Sequence, residues 1–139
     1  MDNFSVVANG ISWGKKKRRY SDHASGVRLV LLRSDSRSGK GPRLRIYFGR
    51  GCGEVTKAKY AQYSELNKNS TVLWFNFSCD KKEGDTWFKC MRGPCIEPTL
   101  NEEEVQVFHD IWEREEGYDL QYDTAIGYYY IVAGERRRR

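Results

Sequence analysis

The sequence predicts an α+β fold: an antiparallel, curved β-sheet of four strands, one amphipathic helix packed on a sheet face, and a C-terminal β-hairpin. Three observations lead there. Strand-length runs of apolar or alternating residues are separated by loops rich in Ser, Gly, Pro and Asp. A single capped segment carries apolar residues at helical spacing. A Tyr-rich alternating run then brackets a glycine turn.

The elements follow in order. "FSVVA" reads as a short strand ahead of the basic run "KKKRR". "VRLVLLR" is aliphatic and β-branched, the pattern of a buried strand. After the polar loop "SDSRSGKGP", "RLRIYFG" alternates cleanly: Arg43, Arg45 and Tyr47 take one face, and Leu44, Ile46 and Phe48 the other. The two runs form an antiparallel hairpin with a long tip. The connector "EVTKAKYAQY" reads as either a short helix or an irregular strand. "TVLWFNFS" is a third strand, with Leu73, Phe75 and Phe77 opposite Val72, Trp74 and Asn76, and "TWFKCM" is a fourth.

"LNEEEVQVFHDIWEREEG" is the helix. Asn101 caps it and Glu104 completes a capping box, while Leu100 and Val105 have the spacing of a hydrophobic staple. Val105, Phe108, Ile111 and Trp112 make the apolar stripe, and Gly117 is the expected stop. "YDLQYDTAIGYYYIVA" is the C-terminal hairpin, turning at "DTAIG". The expected organisation is a basic arm over residues 1–26, one α+β domain over 27–133 and a basic tail over 134–139.

A chain of 139 residues can bury a real core, and 39% hydrophobic with 14% aromatic residues argues for a folded protein. No apolar run reaches the length of a transmembrane helix, and the start "MDNFSVVANG" lacks the basic and apolar regions of a signal peptide. A cytoplasmic location without membrane contact is expected.

The net charge of +5 is unevenly spread. Residues 1–60 hold fourteen Lys/Arg against four Asp/Glu, whereas residues 61–134 hold six against fourteen. A basic half meets polyanions, and phosphate contacts need long cations. The candidate nucleic-acid contacts are Lys15, Lys16, Lys17, Arg18 and Arg19 on the arm. Arg28, Arg37, Lys40, Arg43, Arg45, Tyr47 and Arg50 follow on the first hairpin, and Lys57 and Lys59 on the connector. Interleaved aromatic rings suit the stacking of unpaired bases. Arg43, Arg45 and Tyr47 are the sharpest expectation, because one strand face presents all three; the arm adds diffuse attraction.

Cys90 and Cys95 in "CMRGPC" have the spacing of a metal knuckle, but a structural zinc site needs two such pairs, and Cys79 and Cys52 stand apart. Free thiols are the expectation, with no metal and no cofactor. "GRGCGEVTK" lacks the pattern of a phosphate-binding P-loop. The carboxylates from Glu102 to Asp123 read as a solvated surface or as a contact for a basic protein. No catalytic triad, metalloprotease helix or dinucleotide fingerprint occurs, so no enzymatic activity is expected.

The strand rhythm "VRLVLLR…RLRIYFG…TVLWFNFS…TWFKCM", followed by a helix, resembles the PC4-like (whirly-type) single-stranded-DNA-binding fold. That resemblance spans roughly residues 27–116 and implies a curved sheet that holds unpaired strands, in a homodimer. The connector around Cys52 and the C-terminal hairpin are additions to the family pattern. The chain also has the general look of the small orphan proteins carried by bacteriophages. The resulting expectation is a small, non-catalytic nucleic-acid-binding protein, with single-stranded DNA or RNA favoured. The alternative is a phage-type inhibitor that binds a host nuclease or defence complex, as anti-CRISPR proteins do.

Overall fold

The computed structural model describes residues 26–34, 37 and 39–134. The expected strand "FSVVA", the cations Lys15, Lys16, Lys17, Arg18 and Arg19, and the tail from residue 135 lie outside the described residues.

The fold is α+β, but its strands form two antiparallel sheets rather than one four-stranded sheet. The elements are β1 (Val27–Leu32), β2 (Arg43–Phe48), a 3-10 turn (Gly53–Lys57), β3 (Tyr60–Tyr63), β4 (Val72–Ser78), β5 (Trp87–Lys89) and β6 (Cys95–Ile96). Then come α1 (Glu102–Val107), a π-helical turn (Phe108–Trp112), β7 (Gln121–Asp123) and β8 (Tyr128–Val132). The small sheet has the order β1-β2-β6 and the large one β5-β3-β4-β8-β7. The connector thus contains both of its expected forms, a helical turn and then a strand. The C-terminal hairpin is no appendage: β8 pairs with β4 through Leu73–Ile131 and Phe75–Tyr129.

The division into two sheets follows from the partner β2 finds on its second edge. The segment after Pro94 runs antiparallel to it: Phe48 N–H donates to the Pro94 carbonyl at 3.0 Å, and Leu44 N–H to the Pro98 carbonyl at 2.9 Å. Those bonds satisfy the edge that would otherwise accept β3 or β4.

The alternation read from the sequence holds on both main strands. Leu44, Ile46 and Phe48 are buried, as are Leu73 and Phe75, while their neighbours are only partly covered. Phe48 joins the inner faces of the sheets, edge-on to Phe75 at 5.6 Å and to Phe77 at 5.0 Å between ring centroids. Full burial of such a side chain contributes roughly 1.5–3 kcal/mol, and each edge-to-face pair adds about 0.5–1.5 kcal/mol.

Asn101 caps α1 as expected: its side chain accepts from Glu104 N–H at 2.8 Å, and Glu104 Oε1 accepts from Asn101 N–H at 2.9 Å. The helical segment ends at Trp112, not at Gly117, because Glu113 is already extended (φ −74°, ψ 120°). Widening into a π turn also redraws the buried stripe. Val107, Phe108 and Trp112 are buried, whereas Val105 and Ile111 are only partly covered. Tyr118 locks this end: its hydroxyl donates to the Trp112 carbonyl at 2.5 Å, and the Arg114 guanidinium lies 3.8 Å from its ring centroid.

Candidate polyanion groove

The chain crosses from the large sheet to the small one between β5 and β6, through a tight turn. Met91 N–H donates to the Cys95 carbonyl at 2.7 Å, and Cys95 N–H to the Met91 carbonyl at 3.1 Å. Edge strand β5 leads into this turn, and a groove of three adjoining depressions borders the turn and the end of β5. The middle one, 720 Å³, is bordered by Lys59, Tyr60, Lys89 and Arg92. It shares Lys89 and Met91 with a depression of 580 Å³ that Lys40, Arg43 and Glu97 also line. On its other side it shares Thr56, Gly93 and Pro94 with one of 430 Å³ reached by Arg50.

Among the described residues six cations line the groove, Lys40, Arg43, Arg50, Lys59, Lys89 and Arg92, against one carboxylate, Glu97. The register of the large sheet sets the spacing of Lys59 and Lys89. Lys89 stands opposite Tyr60 across β3 and β5, and Cys90 N–H donates to the Lys59 carbonyl at 2.9 Å. Lys40, Arg50, Lys59, Lys89 and Arg92 are exposed.

Lys40, Arg43, Arg50 and Lys59, expected from the sequence, therefore border one series of adjoining depressions. Lys89 and Arg92 join them although both come from the acidic half of the chain. Their only sequence signals were the alternation of "TWFKCM" and the Arg in the "RGP" break.

Arg43 and Arg45 stand in a different setting from an open strand face. Glu97 sits beside them because its segment is zipped to β2. Arg43 Nη1 donates to Glu97 Oε1 at 2.9 Å, and Arg45 Nε donates to Glu97 Oε2 at 2.5 Å. Arg45 Nη1 also donates to the Tyr47 hydroxyl at 3.0 Å. The Arg43 and Glu97 side chains are only 19% and 15% exposed. The Tyr47 bond, ahead of the contact with Glu97, holds the Arg45 guanidinium firmly in its charged form. Two of the three residues expected to grip phosphate thus share one carboxylate in a structural cluster that offsets one of their two charges.

Arg28 stands opposite Tyr47 on β1 and is half-buried. Arg37 is exposed in the hairpin loop and Lys57 on the 3-10 turn; neither borders the groove, nor does Arg28.

Cys52, Cys79, Cys90 and Cys95 are free. Burial pushes the Cys52 thiol up to about 11, and it also raises Cys90 and Cys95. Thiols held protonated are poor nucleophiles and poor metal ligands. Among the described residues no three His, Cys, Asp or Glu side chains converge as a metal site would require. Among the described residues no helix is long and apolar enough to cross a membrane. No protein-family model matches the chain, and no curated protein or solved structure is significantly similar to it.

Proposed function

We propose that this is a small, non-catalytic nucleic-acid-binding protein whose groove at the end of β5 takes the phosphate backbone. The observation that carries the reading is the lining itself, among the described residues six cations to one carboxylate over three adjoining depressions. Lys and Arg at such spacing displace condensed counterions from a polyanion, and that release drives binding. The basic arm adds long-range attraction. Single strands, DNA or RNA, are the favoured ligands.

A salt series tests the reading. Affinity for a labelled oligonucleotide should fall linearly with log salt, with a slope of roughly −0.7 per phosphate neutralised on a single strand. Absence of salt-dependent binding to DNA and RNA would sink it.

A specific surface supports a second reading, a contact with a basic protein such as a host nuclease or defence complex. Glu102, Glu103 and Asp110 are exposed on the helical segment and Glu113 just past its end, and none of them lines the groove. A partner retained after nuclease treatment, and lost when these carboxylates become amides, would favour it over the first.

A further inference from the structure

We propose that the outer face of the five-stranded sheet carries a subsite for an unpaired nucleobase, so that the ligand of the groove is single-stranded. The inference rests on the polyanion reading above. Its basis is a separate depression of 180 Å³ on that face, bordered by Gln62, Trp74, Asn76, Thr86 and Tyr128. Drug-sized sites run from about 300 Å³ upward, so this one has room for a single ring system.

The register builds it. Gln62 on β3 stands between Asn76 on β4 and Trp87 on β5. Trp74, two residues before Asn76, stands opposite Tyr130 with ring centroids 5.1 Å apart. Alternation turns these residues away from the core that buries Ala61, Leu73 and Phe75.

The amides are half-committed. Gln62 Nε2 donates to Thr86 Oγ1 at 2.8 Å, and Asn76 Oδ1 accepts from Phe77 N–H at 3.1 Å. These bonds fix both side chains and orient them. The Gln62 carbonyl oxygen and the Asn76 amide nitrogen have no partner among the described residues, which leaves an acceptor and a donor on neighbouring strands. A base edge presents that combination in one plane, and an indole beside it offers the stacking surface.

Charge decides the occupant and its direction. The next pair on the same face of β3 and β5, two positions along, is Tyr60–Lys89, already part of the basic groove. The opposite edge of the sheet carries Asp123, facing Tyr128. A strand with its phosphates on the β5 side therefore points its bases toward Trp74. A neutral sugar polymer would gain nothing from that gradient.

The test compares oligothymidylate of about fifteen nucleotides with an abasic strand of the same length and charge, using fluorescence anisotropy over a salt series. The base-bearing strand should bind at least about tenfold more tightly at every salt concentration, with the same slope. It should also quench tryptophan fluorescence, which the abasic strand should not. The variant Gln62→Ala/Asn76→Ala, shown folded by its circular dichroism, should narrow the gap. Equal affinity for the two strands overturns the proposal, as does a gap that the variant leaves unchanged. Failure of both strands to bind at low salt removes the polyanion reading itself and the subsite with it.

Discussion

Tyr60 and Lys89 stand directly opposite each other across β3 and β5, which sets a cation from the acidic half of the chain beside the connector of the basic half. Among the described residues, the charge asymmetry of the sequence therefore does not stay divided into two halves at this edge of the large sheet. The fold interleaves them, and the groove is built at the seam.

That seam gives the first prediction. Lys59 and Lys89 are exposed, and no hydrogen bond or ion pair with another described residue involves either side chain. Exchanging both for Glu should change stability by no more than about 0.5 kcal/mol per site. Oligonucleotide affinity should fall at least tenfold, with a salt slope shallower by roughly 1–2. Anisotropy titrations beside a urea melt check both expectations; a binding loss matched by unfolding would contradict them.

Glu97 gives the second, with two readouts of opposite sign. Glu97→Gln leaves the Arg43 and Arg45 guanidiniums without their anion in a half-buried cluster. The Arg43 Nε is already buried without a hydrogen-bond partner. Loss of a charged partner there should cost about 1–3 kcal/mol. The same change removes the one carboxylate that lines the groove among the described residues, so polyanion affinity should rise and the salt slope steepen by roughly 0.7 for a single strand. Charge reversal of Arg43 and Arg45 would instead confound binding with folding.

How much of this was legible in the sequence depends on the range of the interaction responsible. Local rules were readable: the alternation of Arg43–Phe48, the Asn101–Glu104 capping box, and the turn ahead of Gly127. At that turn Asp123 Oδ1 accepts from Ala125 N–H and Ile126 N–H, and Gly127 takes φ 79°. Partner choice was not readable. β6 is two residues long, Cys95–Ile96, with a proline on either side, so no pattern announces the strand that splits the sheet. The π turn is also invisible locally, since it depends on how Phe108 and Trp112 settle in the core. The site shared this fate. Its cations were visible one by one, but only the long-range register showed that Glu97 occupies Arg43 and Arg45 while Lys89 and Arg92 reach the groove.

Gly26 gives a third prediction, about how the domain closes. Its backbone has φ 80°, and a Cβ there would lie 2.0 Å from the Tyr118 carbonyl oxygen. That carbonyl accepts from Val27 N–H at 2.8 Å, and Gly26 N–H donates to the Arg50 carbonyl. Gly26→Ala must therefore break the bridge between β1 and the Tyr118 segment. A loss above about 3 kcal/mol is expected, combining left-handed strain with lost hydrogen bonds. Gly39→Ala is the control: φ is 75° there, but no described residue lies within 4 Å of the added carbon, so only the strain of about 1–2 kcal/mol should appear. Equal urea midpoints for the two variants would refute the argument.

The fourth prediction concerns alkaline pH. Burial pushes Cys52 from 9.0 to about 11 and Tyr118 from 10.0 to about 12. Both groups are neutral when protonated, so the folded state holds its protons longer than the unfolded chain does. Their contribution is fully present below the unfolded values and disappears as pH rises through the folded ones. Each gap corresponds to roughly 2–3 kcal/mol when fully expressed. The urea midpoint should thus be flat up to about pH 9 and then fall toward pH 12. Tyr118→Phe separates the two contributions. It leaves the Trp112 carbonyl without its donor, which should cost about 1 kcal/mol at neutral pH. It also removes Tyr118's own titration and leaves that of Tyr63, which burial pushes up as well, so the fall above about pH 10 should be shallower than in the unmodified protein but not absent. Cys52→Ala should instead flatten the region just above about pH 9. A midpoint that falls identically in all three proteins would mean that neither group drives the alkaline loss.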